Sequence, residues 1–335
     1  MRSSHTKRLL WHLFSVLAMI GVTAGPMIAQ DRVLNVDDLF GIRSVGSPQV
    51  SPDNKWVAYT IRTVSLENEE AETRIWMVST SGGEPIALTS EGYSASNPRW
   101  SPDGQYLSFT ANRDETSNQM WLLDRRGGEA QKLTDVKQGV SGYKWSPDGT
   151  RVVLTILDPE EEEEEEEEEK DENKPRDPWV IERLQFKRDG RGYLTGDRHT
   201  HLYVLELASE ELTQITSGRW DESQPSWSPD GRSIAFVSNR TEDPDANSNS
   251  DIWVVAASNS DEGETLLRLT DYQGGDSQPA WSPDGEWITY VTDDGDPRFS
   301  ALSVNQLAIV SSVGGPRQLV HTSLDRDVSA PQFTS

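Results

Sequence analysis

Cysteine is absent from the 335 residues, which excludes thiol catalysis, disulfide frameworks, Cys-ligated zinc and iron–sulfur clusters. Positive charge is scarce: 31 Lys+Arg stand against 56 Asp+Glu, a formal net charge of −25. Affinity for a phosphate backbone comes from clustered cations, so a nucleic acid partner is not expected. Apolar residues are also few, 34% of the chain, against about 45–50% with glycine in a typical domain. There are only five histidines. What the chain does have is 12 Trp and 25 Gly, many for so polar a sequence. Large anchors among frequent turns point to a β-rich protein and away from a helical bundle.

The longest apolar run lies at the start. Arg2, Lys7 and Arg8 precede Leu9–Val22, and small residues follow to Ala29. A basic segment, a core of about 7–15 apolar residues and a small-residue exit describe a secretory signal peptide. Residues 1–29 are read as that signal, with cleavage after Ala29 or, as second choice, Ala24. Fourteen apolar residues are short for a span that needs about 20, so no membrane association is expected beyond the signal. Export without cysteine fits a bacterial periplasmic or secreted protein.

A repeat organises the rest. Ser-Pro-Asp-Gly or a close variant begins at Ser51, Ser101, Ser146, Ser228 and Ser282, and Trp100, Trp145, Trp227 and Trp281 precede the last four. Alternating apolar strands follow each turn, and the units close on Thr89, Thr134, Thr216 and Thr270, each 12 residues before the next repeat serine. Serine-to-serine intervals of 50, 45, 82 and 54 match the period of a propeller. The proline sets φ, the aspartate bonds the backbone two residues on, and the glycine accepts a left-handed conformation. A large ring at the preceding strand end is suited to the wedge between blades. The repeat aspartates are therefore read as structural.

The interval of 82 is one unit carrying an insertion between strands at Val152–Leu157 and His201–Leu207. That insertion holds ten consecutive glutamates, Glu160–Glu169, within an acidic insert over residues 158–176 that is expected to be solvated and disordered. The alternative is an acidic brush that attracts cationic peptides or divalent ions. The segment Ser329–Ser335 repeats the opening Ser-x-Pro-x-Trp-Ser with Phe333 for Trp. The fold expected is thus all-β: a β-propeller over residues 30–335 with about five blades and the start of a sixth, and so incomplete.

These features resemble the amino-terminal propeller of the prolyl oligopeptidase family of serine peptidases, particularly its acylaminoacyl-peptidase and dipeptidyl-peptidase-like members. Asn35–Phe40 leading to Ser47–Asp53 is similar to that family's entry into its first blade. Asp177–Leu184, Asp189-Gly190 and His199–Leu202 resemble its mid-propeller insertion. The Ser-Pro-Asp-Gly repeat is shared with TolB-type periplasmic propellers, which carry a separate α/β domain before the blades. The resemblance implies an α/β-hydrolase domain with a Ser-Asp-His triad after the propeller. No Gly-x-Ser-x-Gly elbow occurs in this sequence, and His5, His12, His199, His201 and His321 sit in no triad context. No catalytic, cofactor-binding or metal residue is assigned, and no cofactor is implied.

Remaining polar clusters have plain alternatives. Asp243, Asp245, Asn247 and Asn249, and separately Asp293, Asp294 and Asp296, offer oxygens of the kind calcium takes, but lack the EF-hand glycine and terminal glutamate. Loop-tip solubility is the simpler reading. His199 and His201 share a strand face and would either hold a metal or form a packed or surface pair, the latter favoured for want of a third ligand. Glu182 and Arg183 lie in the insertion and would either hold a peptide terminus, as related enzymes do there, or form an ordinary solvated strand. The function expected is a non-catalytic propeller that gates short peptides for a serine peptidase domain; the alternative is a TolB-like module that binds a protein partner.

Overall fold

The computed structural model describes residues 35–66, 69–113, 117–159, 181, 184–188, 192–193, 198–293, 295, 303–320, 324 and 326–334. The signal segment, most of the acidic insert, Asp177–Val180, Glu182, Arg183, Asp189-Gly190, Asp294, Asp296 and His321 lie outside the described residues. The chain divides into two units, 1–42 and 43–335. In the first, Asn35 caps a 3-10 turn, Val36–Gly41: its side chain accepts the Asp38 N–H, and the Asp38 carboxylate accepts the Asn35 N–H.

The second unit is built of antiparallel four-stranded sheets. The first contains β1 (Ser44–Val50), β2 (Trp56–Ser65), β3 (Glu70–Ser79) and β4 (Ile86–Ala87), in that order. The second contains β5 (Ala95–Trp100), β6 (Tyr106–Ala111), β7 (Gln119–Asp124) and β8 (Gln131–Lys132). The third is β9 (Gly142–Trp145), β10 (Arg151–Leu157), β13 (Thr200–Glu206) and β14 (Glu211–Gln214). Between its second and third strands stands a hairpin of β11 (Lys187–Arg188) and β12 (Gly192–Tyr193). The fourth holds β15 (Glu222–Trp227), β16 (Ser233–Ser238), β17 (Asp251–Ala256) and β18 (Leu267–Arg268). The fifth holds β19 (Asp276–Trp281), β20 (Trp287–Asp293), β21 (Asn305–Ser311) and β22 (Gln318–Leu319). As the repeat spacing predicts, each sheet takes one Ser-Pro-Asp-Gly turn between its first two strands. The long interval is one sheet with its insertion between β10 and β13, which pair directly.

The second strands β6, β10, β16 and β20 are buried on both faces, whereas β2 is buried only in part. In β10, Val152 to Ile156 are all buried. Each core cluster joins two consecutive sheets: Ala58 and Ile75 with Leu107 and Phe109, Met120 with Val152 and Leu154, Val153 and Leu202 with Ile234 and Phe236, Ile252 with Ile288 and Tyr290. Burying a side chain of this size contributes about 1.5–3 kcal/mol, so these four clusters hold each sheet to the next.

The repeat residues bind both within and between sheets. In the turn at Ser228 the hydroxyl donates to Asp230 Oδ1 (2.7 Å) and accepts the Ser233 N–H, while Asp230 Oδ1 accepts the Arg232 N–H. The turns at Ser51, Ser101, Ser146 and Ser282 repeat the hydroxyl–carboxylate bond at 2.5–2.6 Å. Gly231 has φ +67°, and in the first turn Asn54, at φ +57°, replaces the glycine; asparagine tolerates that region better than most residues. The tryptophans bridge sheets as their position predicts: Trp100 Nε1 donates to the Gln49 carbonyl, Trp227 to Lys144 and Trp281 to Ser226.

Candidate functional site

The first strands β5, β15 and β19 carry the motif Ser-x-Pro and β1 carries Gly46-Ser47-Pro48, and the proline decides their shape. Proline offers no amide to the ladder and turns the residue before it away from the helical region. The pairing of β1, β5, β15 and β19 accordingly slips at Gly46/Gln49, Ser96/Arg99, Ser223/Ser226 and Ser277/Ala280. The x residue stands at left-handed φ: Ser47 +49°, Asn97 +54°, Gln224 +52°, Gln278 +56°, with Ala330 at +50° in the next opening. In β9 the pair is Gly142-Tyr143, the proline is missing, and the ladder runs on without a slip. A bulge of this kind re-aims a side chain. Gln224 Oε1 accepts the N–H of Gln278 at 2.6 Å, and Gln278 Oε1 accepts that of Ala330 at 2.5 Å. The Tyr143 hydroxyl, standing at the proline's position, donates to the Asn97 carbonyl at 2.8 Å.

A cavity of about 520 Å³ opens among β5, β9 and β15. Its lining includes Asn97, Arg99, Lys144, Thr155, Thr200, Asp221 and Gln224. Arg99 Nε is buried and donates to no partner, and among the described residues neither Arg99 nor Lys144 forms an ion pair. Burial, and then the neighbouring Arg99 charge, push the Lys144 ammonium below its ordinary pKa. Burial pushes the Tyr143 phenol up, so it stays a neutral donor. Asp221 accepts the Thr200 N–H at 2.8 Å. A second cavity of about 370 Å³ shares Asp221, Ser223 and Gln224 with the first and adds His199, Trp220 and Asn239.

A buried charge network joins this lining through Glu222. Glu222 Oε1 accepts from Arg240 (2.6 Å), and its Oε2 meets His201 Nδ1 (2.7 Å) and the Thr216 hydroxyl (3.0 Å). His201 Nε2 lies 3.5 Å from Asp158 Oδ1. The Arg240 guanidinium lies over Trp220 at 4.7 Å and Trp253 at 5.3 Å. His201 is thus a packed histidine within an ion network, and His199, also buried, borders the second cavity. At the next sheet junction Asp251 occupies the place of His201. Its pKa is raised to about 7, chiefly by burial, with Arg268 opposing and Asp276 adding to the rise.

Three of the other sequence candidates, Asp245, Asn247 and Asp293, are engaged in hydrogen bonds. Asp245 accepts the N–H groups of Leu184 and Gln185, and Asn247 donates to Thr241 and to the Asp243 carbonyl. Asp293 accepts from Gly295 and Ser303. Among the described residues no group of three or more His, Asp or Glu is placed to hold a metal. No helix among them is long and apolar enough to cross a membrane. The sequence reading missed Arg99, Lys144, Asp221, Glu222 and Arg240. Aligning the repeats on Ser-x-Pro exposes one of them: Glu222 falls where other units have Ala95, Val140 and Asp276.

No family model matches the chain. It is 32% identical over 224 residues to an uncharacterized peptidase, YuxL, of Bacillus subtilis, covering 67% of this chain and 34% of that protein. It is 25% identical over 278 residues to dipeptidyl-peptidase 5 of Porphyromonas endodontalis, covering 79% of this chain and 39% of that one. Among solved structures it is similar to an acylaminoacyl peptidase of Pyrococcus horikoshii, with TM-score 0.65, 19% identity, and 90% of this chain and 43% of that chain covered. This is a β-propeller of the prolyl oligopeptidase family type. The propeller spans about a third of the length of the curated relatives it matches. Its fold is shared by the propeller domain of the Trilobed protease from Pyrococcus furiosus (TM-score 0.55, 16% identity, 87% of this chain and 76% of that chain). A putative TolB from Agrobacterium tumefaciens shares it too (TM-score 0.52, 20% identity, 83% and 81%).

Proposed function

We propose that this propeller is a non-catalytic gate, which admits short peptides and positions them for a serine peptidase domain of the same protein. The observation that carries the reading is the polar cavity among β5, β9 and β15, in a propeller whose named relatives are peptidases. The mechanism is confinement. A space of about 520 Å³ is within the usual range of small-ligand sites, and it has room for an extended chain of a few residues but not for a folded one. Asn97, Thr155, Thr200 and Gln224 bring side-chain donors and acceptors to the lining, and these suit a peptide backbone whatever its side chains. Residues 1–29 serve as a signal in this reading, which assigns the protein to the periplasm or exterior of a bacterial cell.

The test pairs two measurements on the full chain: turnover of N-acetylated and dipeptidyl chromogenic substrates, and calorimetry with peptides of three to five residues. The reading expects no turnover, binding of the peptides and no binding of folded proteins of similar composition. A second reading, a TolB-like interaction module, is favoured by the 81% of the putative TolB chain that this chain covers. Saturable binding of a folded envelope protein with none of the short peptides would decide for it.

A further inference from the structure

Arg99 and Lys144 stand in the cavity lining on two different first strands, β5 and β9. Neither has an ion-pair partner among the described residues, and the Arg99 Nε is buried without a hydrogen bond. Three other arginines of the unit are paired closely: Arg240 with Glu222 at 2.6 Å, Arg74 with Glu91 at 2.8 Å, Arg125 with Asp53 at 3.0 Å. Two uncompensated cations side by side are costly in a chain with 56 acidic residues, since a buried charge without a partner is destabilising. Both point to an absent anion.

We propose that Arg99 and Lys144 form a carboxylate-binding site that holds the free C-terminus of a short peptide. The inference rests on the reading that peptides enter this cavity, and it adds the end by which they are held. A guanidinium fork takes a carboxylate through two parallel bonds, and an ammonium adds a point charge beside it. A dianion such as phosphate is disfavoured by Asp221 and Glu222 in the same lining. The remaining lining groups, Asn97 and Gln224 among them, are neutral and suit the peptide bonds that precede the terminus. Burial and the Arg99 charge lower the Lys144 pKa, and an arriving carboxylate would favour the charged ammonium.

The experiment titrates the full chain with N-acetyl-trialanine as free acid, with the same peptide as carboxamide, and with acetate alone. The free acid is expected to bind about ten-fold or more tightly than the carboxamide, the worth of one charge-assisted hydrogen bond, and to weaken with added salt. Arg99→Gln and Lys144→Gln should each remove that preference, while Arg99→Lys and Lys144→Arg retain part of it at unchanged thermal stability. Equal binding of acid and carboxamide, or a preference that survives both glutamine variants, would overturn the carboxylate site and leave the peptide reading standing. Acetate binding that depends on Arg99 and Lys144, with neither peptide bound, would keep the anion site and overturn its peptide occupant. No binding of any of the three would overturn both.

Discussion

Gln224 reaches from β15 to the backbone of β19, its Oε1 accepting the Gln278 N–H at 2.6 Å. The same position in the next unit repeats the act, Gln278 Oε1 accepting from Ala330. A strand bulge set by proline thus becomes a bond between sheets. Gln224→Ala should cost about 1 kcal/mol, one hydrogen bond. Gln224→Val should cost more, because a β-branched residue resists φ +52°. Urea denaturation of the three proteins gives the order: wild type, alanine, valine. Equal stability of alanine and valine would remove strain from the account.

Ser228 ties its turn together by donating to Asp230 and accepting the Ser233 N–H. Ser228→Ala should destabilise by about 1–2 kcal/mol, since it leaves a backbone donor unanswered in a half-buried turn. Calorimetric unfolding reads the loss. Peptide affinity should not move, because the turn lies outside the cavity lining.

Sequence reading captured this part of the molecule well. Turn chemistry and strand alternation are local, so Ser228, Asp230 and Trp227 announced their roles in the repeat itself. The cavity was less legible. Arg99 and Lys144 belong to different units, and nothing in their neighbours' identities shows that β5 and β9 turn them toward one space. His201 was legible only as one of a packed or surface histidine pair, and Glu222 and Arg240, 21 residues beyond it and 18 further on, become its network only through the sheet junction.

That network makes a sharper stability prediction. Glu222 holds Arg240, His201 and Thr216 at once. Glu222→Ala should cost about 3–5 kcal/mol, the usual effect of stranding a buried charge. The paired change Glu222→Leu with Arg240→Met should cost less than Glu222→Ala alone, because the aromatic surround of Trp220 and Trp253 accepts an apolar chain. A double change that costs more would show the ion network itself to be indispensable.

Two sets of aspartates pull the pH profile in opposite directions. Asp251, with its folded pKa raised to about 7 by burial, binds a proton on folding between its unfolded value near 4 and 7. Stability should therefore rise as pH falls through that window. The turn aspartates have depressed pKa values, Asp53 to about 2 through the Ser51 hydroxyl and Asp103, Asp148, Asp230 and Asp284 likewise lowered. Their contribution is present above about pH 4 and lost below it. Asp251→Asn should flatten the slope between pH 4 and 7 and leave the acid limb in place. Denaturation midpoints measured from pH 3 to 8 on both proteins check the sign.

The central claim is that a short peptide occupies the cavity among β5, β9 and β15 without being cut. A tetrapeptide carrying a benzophenone side chain, photolysed with the full chain and mapped by mass spectrometry, tests this directly. The account predicts one intact adduct on residues 97–99, 142–144 or 221–225, suppressed by excess unlabelled peptide. Adducts scattered over other surfaces, or recovery of cleaved peptide, would contradict it.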